Sequence, residues 1–286
     1  MVVLVTGAKG QLGQALQFVA PKHPEITFFF YDSEQLNIAN IEQCTAVFNT
    51  LQPDFCINTA AYTAVDKAET ETEKAQSVNT NGPLNLALVC KANHTVLVHV
   101  STDFVFDGNA LTPYVETAVP NPQSVYGQTK LAGEKAIQDT FDNYFIVRTA
   151  WVYSQFGANF MKTILRLAAD RDTLTVVSDQ MGTPTNAIDL AEVLVEIINK
   201  QAVNPNNTAL FGMYHFSNEG QCSWFDFAQK IVEVNHLALK VLPIPTTDYP
   251  TPAQRPSYSV LDKTKIKTTF NLTIKSWEAS LSTTVM

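Results

Sequence analysis

Short apolar runs alternate with helix-length amphipathic stretches through the first half of the chain. Apolar runs at Val2–Val5, Thr27–Tyr31, Phe55–Asn58, Thr95–Ser101 and Tyr144–Arg148 read as strands. Each is continuously apolar rather than alternating, the pattern of a strand covered on both faces of a parallel sheet. Between them, Gln11–Val19, Ile41–Leu51, Thr72–Lys91 and Gly127–Phe141 have the length and spacing of helices. This β-α-β-α order predicts an α/β fold built on a doubly wound parallel sheet with right-handed crossovers.

The pattern changes near residue 150. A helix over Phe160–Ala169 leads to a strand at Leu174–Ser178, a turn at Gly182-Thr183-Pro184 and a helix at about Ala187–Asn199. Ser223-Trp224-Phe225-Asp226 has the spacing of a capping box that opens another helix. The stretch Pro243–Pro256 holds five prolines and reads as an irregular, substrate-facing loop. The expected division is a nucleotide-binding domain over residues 1–150 and a smaller mixed α/β substrate domain over 151–286. Segments of about 174–220 are expected to return in part to the first sheet.

Composition narrows the function classes. The formal net charge of −8 argues against a nucleic-acid surface. No apolar run approaches the roughly 18 residues a membrane span needs, and the opening Met1-Val2-Val3-Leu4-Val5 reads as a strand rather than a signal peptide. The four cysteines are scattered without a CxxC pair, which predicts reduced thiols in a cytoplasmic protein. The five histidines show no metal-ligand spacing, and no metal is expected.

The chemistry-bearing residues begin directly after the first strand. Gly7, Gly10 and Gly13, with Gln11 and Leu12 between them, precede a helix. Such glycines permit a tight turn and a close approach to a pyrophosphate seated on a helix N-terminus, as in a Rossmann-type dinucleotide site. The spacing is GxxGxxG rather than GxGxxG. Asp32 ends the second strand, where an acid hydrogen-bonds adenosine ribose hydroxyls or is an ordinary turn aspartate. Tyr126 and Lys130 share a helix face at i and i+4. An ammonium beside a phenol favours the phenolate, which suits the tyrosine to exchange a proton with a sugar oxygen. Thr102, after the fourth strand, is placed to hydrogen-bond the same carbonyl oxygen. Asp103 and Trp151 are candidates to line a sugar pocket, and Arg255 to clamp a diphosphate. Asp66, Glu69, Glu71 and Glu73 read as a solvated face and a first helical turn.

These residues resemble the extended short-chain dehydrogenase/reductases and, within them, the dTDP-4-dehydrorhamnose reductases. The similar segments run from Asn58-Thr59-Ala60-Ala61-Tyr62-Thr63-Ala64-Val65-Asp66-Lys67-Ala68-Glu69 through Ser101-Thr102-Asp103-Phe104-Val105-Phe106-Asp107-Gly108 to Tyr126-Gly127-Gln128-Thr129-Lys130. Arg148-Thr149-Ala150-Trp151, Asp179-Gln180-Met181-Gly182-Thr183-Pro184-Thr185 and Pro252-Ala253-Gln254-Arg255-Pro256 follow in the same order. The resemblance implies reduction of the 4-keto group of dTDP-4-dehydro-L-rhamnose by NADPH or NADH. Tyr126 would be the proton donor, assisted by Lys130 and Thr102. Gly10, Gln11 and Leu12 would meet the pyrophosphate, Ala61, Tyr62 and Thr63 would line the cofactor, and Lys130 would also hold the nicotinamide ribose. Thr102, Asp103 and Trp151 would contact the sugar nucleotide. Phe104 stands where a tyrosine is common, and Ala15 where some relatives carry a glutamate, which removes a magnesium-linked contact. The alternatives are a reductase of another 4-keto-6-deoxy sugar nucleotide and a non-catalytic cofactor-binding subunit. The residues do not fix oligomeric state; a homodimer is carried as an expectation.

Overall fold

The computed structural model describes residues 1–284. The first half runs β1 (Val2–Thr6), α1 (Gln11–Val19), β2 (Thr27–Tyr31), α2 (Ile41–Leu51), β3 (Phe55–Asn58), α3 (Val65–Ala68), α4 (Thr72–Gln76), α5 (Gly82–Ala92), β4 (Val96–Thr102), α6 (Val125–Thr140) and β5 (Tyr144–Thr149). The second half runs β6 (Val152–Tyr153), α7 (Phe160–Ala168), β7 (Thr173–Val177), β8 (Met181–Gly182), β9 (Thr185–Asn186), α8 (Ala187–Val203) and β10 (Gly212–His215). It ends with β11 (Cys222–Ser223), α9 (Trp224–Val234), β12 (Lys240–Ile244), α10 (Thr264–Phe270) and α11 (Trp277–Ser282).

A six-stranded parallel sheet in the order β10-β5-β4-β3-β1-β2 forms the centre. The apolar runs are explained by burial on both faces. Val3 and Val5 join one core with α1, α8 and α10, whereas Leu4 joins another with α2, α5 and Ile137 of α6. Fully burying a side chain of this size stabilises by about 1.5–3 kcal/mol, so a polar residue in either register would be costly. The chain leaves β1 on one side for β2 and on the other for β3. That reversal opens a crevice at the C-terminal ends of the strands, where α/β sheets bind ligands.

A separate apolar core joins Tyr153, Met161 and Ile164 to Phe227, Ile231 and Trp277. Here β7 pairs in parallel with β12, so Thr173–Val177 lies away from the central sheet, while α8 and β10 lie on it. Pro243 falls inside β12, so the proline-rich stretch begins as a strand rather than as loop. It is tolerated because the two-stranded pair leaves an edge where a missing N–H costs nothing. The Ser223–Asp226 capping box is formed in both directions.

The helix expected over Thr72–Lys91 is interrupted. Residues Ser77–Asn81 form a π-turn between α4 and α5. Pro83 lacks an N–H, and its ring would crowd the carbonyl of Asn79 in a regular helix. The widened turn lets Asn79 reach the loop after β3: its side chain accepts from the Tyr62 amide at 2.8 Å and donates to the Tyr62 carbonyl at 3.0 Å.

Candidate active site

The turn after β1 is built by glycines with different tasks. Gly7 has φ of +75°, and a Cβ there would lie 2.7 Å from the Ala60 amide. A Cβ on Gly13 would lie 2.3 Å from the Gly7 carbonyl. Gly10 is exposed, and a Cβ there would meet nothing but the Gly7 carbonyl. Gly10 is also the N-cap of α1, and no side chain caps that helix end. The first turn therefore presents uncapped amides behind an open glycine, which fits a pyrophosphate. Leu12 is buried in the core, so only its backbone is available to a ligand.

Gln11 has a second role that its position in the glycine loop did not announce. Its amide donates to the Val152 carbonyl at 3.1 Å and accepts from Asn159 at 2.7 Å and Ser154 at 3.2 Å. It ties the glycine turn to the second core. Asp32 is a turn residue, as one of its two readings has it. It accepts from the Glu34 and Gln35 amides and pairs with Lys9 at 2.7 Å. These partners hold its carboxyl below the usual aspartate range, the Lys9 bond most of all. Lys9 places an exposed ammonium beside that carboxylate.

On the opposite side of the crevice, Ser124 caps α6 by accepting from the Gly127 amide at 3.2 Å, and Glu69 accepts from the Val125 amide at 2.9 Å. Glu69 therefore secures the start of α6 rather than belonging to a solvated face. The helix begins before Tyr126, which places that residue in its first turn. A Cβ on Gly127 would lie 2.2 Å from the Phe104 carbonyl, so the glycine allows α6 to approach the end of β4. That approach brings Tyr126 beside Thr102. The Phe104 ring packs edge-on against Tyr126 at 5.6 Å between centroids.

The electrostatics differ from the expected pairing. Burial pushes the Tyr126 phenol up to about 12, opposed by a hydrogen bond with the Thr102 hydroxyl. Lys130 does not lower it. Lys130 Nζ instead donates to the Val100 carbonyl at 2.7 Å and lies 3.3 Å from His99 Nε2. Tyr126 is thus held as the neutral phenol, the form a proton donor needs. Asp103 is buried; its Oδ1 accepts from Thr102 at 3.0 Å, and its Oδ2 has no partner. Burial raises its carboxyl to about 6.

Trp151 sits in the left-handed region, with φ of +47°. Its indole stacks on Trp224 at 3.5 Å, and a Cβ on Gly182 would come within 2.5 Å of it. Trp224 and Gly182 are parts of this wall that motif reading missed, because only the fold brings them to Trp151. Ala61 and Tyr62 are half-buried and Thr63 is exposed on the loop that Asn79 fixes. Arg255 is not a free anion clamp: its guanidinium binds both Asp66 oxygens, at 2.8 and 3.0 Å. Asp66 is thus partly solvated, as read, and is also tied to Arg255. Among the described residues, no group of three or more His, Cys, Asp or Glu is placed to hold a metal ion.

The comparisons with known proteins bear on this geometry. The family model described as the RmlD substrate binding domain matches residues 1–286. The chain belongs to this family. A dTDP-4-dehydrorhamnose reductase of Aggregatibacter actinomycetemcomitans is 40% identical, with 98% of this chain and 96% of that protein covered. The crystal structure of a dTDP-4-dehydrorhamnose reductase from Clostridium acetobutylicum superposes with a TM-score of 0.93 at 40% identity, covering 99% and 98% of the two chains. The Bacillus anthracis enzyme, solved in complex with NADP, superposes with a TM-score of 0.93 at 38% identity and the same coverage. No helix of the described residues is long and apolar enough to cross a membrane.

Proposed function

We propose that the protein is an NAD(P)H-dependent oxidoreductase that reduces the 4-keto group of dTDP-4-dehydro-L-rhamnose to give dTDP-L-rhamnose. The observation that carries this reading is the family match over the whole chain, together with Tyr126 in the first turn of α6 against the end of β4 and the uncapped, glycine-lined start of α1. The family membership and the named reductases support the substrate.

A nicotinamide cofactor, when held by these residues, would supply the hydride that reduces the carbonyl carbon. The protein's own residues provide the rest. Gly10 and the amides of Gln11, Leu12 and Gly13 hold the pyrophosphate, Asp32 and Lys9 face the adenosine ribose, and Ala61, Tyr62 and Thr63 line the cofactor. Thr102 turns its single hydroxyl proton from Asp103 to the substrate carbonyl oxygen and orients that oxygen toward Tyr126. Tyr126 gives that oxygen its phenolic proton. Asp103 offers its free oxygen to a sugar hydroxyl, and the Trp151–Trp224 stack forms an apolar wall for the sugar nucleotide. The second lobe, from residue 151 onward without α8, β10 and α10, supplies that substrate side.

Oxidation of NADPH and NADH with the keto-sugar made in situ, and the product identified by NMR, tests the proposal. Turnover to dTDP-L-rhamnose is expected. Tyr126→Phe should bind cofactor but turn over roughly 10²–10⁴-fold more slowly. Cofactor binding without oxidation by the wild-type protein would overturn the reading in favour of a binding subunit.

A further inference from the structure

Beneath the reacting pair runs a line of buried polar side chains that the sequence reading left without a role. Thr6, Asn58 and His99 stand side by side on β1, β3 and β4, in matched register, and all are fully buried. Thr6 Oγ1 donates to Asn58 Oδ1 at 2.7 Å, and the Ala60 amide donates to the same oxygen at 3.1 Å. A backbone N–H can only donate, so the Asn58 oxygen must face Ala60. The Asn58 amide nitrogen therefore faces His99 Nδ1, at 2.9 Å. An amide nitrogen also only donates, so Nδ1 presents its lone pair. Neutral His99 then carries its proton on Nε2.

That proton points at Lys130, whose Nζ lies 3.3 Å from Nε2. An ammonium has three donors and no lone pair. A charged Lys130 here would set donor against donor. A neutral amine fits: it accepts from Nε2–H and donates to the Val100 carbonyl at 2.7 Å.

We infer that His99, its tautomer locked by Asn58 and Thr6, holds Lys130 as a neutral amine at this position, so that the lysine takes up its proton only on turning away from His99. His99 is then a positioning residue that controls when positive charge reaches the neighbourhood of Tyr126. The inference deepens, and rests on, the reading of Tyr126 and Lys130 as the reacting pair. The other charged groups near Lys130 come from three elements. Glu134 lies one turn further along α6, but Arg148 of β5 binds both its oxygens. Asp103, after β4, faces Tyr126. Burial lowers both groups, Lys130 to about 8 and His99 well below its usual range; the neutral amine is argued from the hydrogen-bond pattern.

The test is NMR on the full-length protein without added nucleotide. Nitrogen-15 histidine labelling reads the tautomer of His99. Carbon-13 lysine labelling reads the titration of Lys130, assigned by the signal lost in Lys130→Met. The expected result is Nε2–H at His99 and a Lys130 titration well below the exposed lysines. In Asn58→Asp, position 58 presents only acceptors, so the proton should move to Nδ1 and Lys130 should bind its own proton roughly tenfold or more tightly. An Nδ1–H tautomer in the wild type, a Lys130 that titrates with the exposed lysines, or an unchanged tautomer in Asn58→Asp would each overturn the inference. If Asn58→Asp does not fold, the wild-type tautomer and titration decide alone. Neither readout uses turnover, so failure of this lock and failure of the reductase assignment are distinguishable.

Discussion

The buried pair Glu134–Arg148 offers a sharp test of the energetics around the site. Arg148 Nε and Nη2 donate to the two Glu134 oxygens at 2.9 and 2.6 Å, and the side chains are 1% and 2% exposed. The Arg148 guanidinium also lies 5.1 Å from the Phe106 ring centroid, and its Nη1 has no partner. Glu134→Gln keeps the shape but removes the charge that Arg148 was buried to meet. Breaking such a pair by removing one partner typically costs about 3–5 kcal/mol, because an uncompensated ion stays in the interior. That is a large part of the roughly 5–15 kcal/mol that holds a folded domain together. Replacing both partners, as in Glu134→Gln with Arg148→Met, removes the buried charge and should recover much of the loss. Urea unfolding followed by circular dichroism measures all the species, and the double-mutant cycle isolates the pair. The reasoning fails if Glu134→Gln costs less than about 1 kcal/mol, or if Arg148→Met adds its full cost on top of it.

Three further predictions concern single groups. Asp103 has its carboxyl raised by burial, so it favours the fold when protonated and opposes it increasingly as pH climbs past the ordinary aspartate range to about 6. Asp103→Asn should therefore be more stable than wild type at neutral pH, by up to on the order of 3 kcal/mol, with the gain vanishing in acid; thermal unfolding at several pH values checks this, and a gain that grows in acid would contradict it. Asp66→Asn should cost at most about 1 kcal/mol, because the Arg255 pair is partly exposed, at 25% and 40%. It should free the Pro252–Pro256 segment to protease, and a loss of several kcal/mol would refute the reading of a partly solvated tie. Gly182→Ala should displace the Trp151 indole and destabilise by about 1–3 kcal/mol. An unchanged tryptophan emission spectrum in that variant would show that the wall is not packed as described.

Much of the site was legible because its parts lie close together in the chain. The glycine turn follows β1 directly, and Tyr126 and Lys130 share one helical turn, so local spacing alone placed them. The start of α6 was read late, since its cap, Ser124, and its second tie, Glu69, act through backbone amides that leave no periodic signal. The π-turn at Ser77–Asn81 was hidden for a similar reason: the stretch keeps a helical apolar pattern, and the Pro83 clash acts on the backbone. Pro243 was read as loop because a proline argues against a strand, yet an edge leaves its missing N–H unneeded.

The sequence by itself determined the alternation of buried strands and helices, the glycine turn, and the placing of Tyr126 and Lys130 on one helical turn. These depend on burial and helical periodicity, which act over a few neighbouring positions. The tertiary structure alone decided which polar groups meet. Asp66 with Arg255, Lys9 with Asp32, Gln11 with Asn159, and His99 with Lys130 are partners across loops and strands. It also decided that burial, rather than a neighbouring ammonium, sets the Tyr126 proton. Ionisation depends on what surrounds a group in space, and at this crevice that surrounding is assembled from strands and helices far apart in the chain.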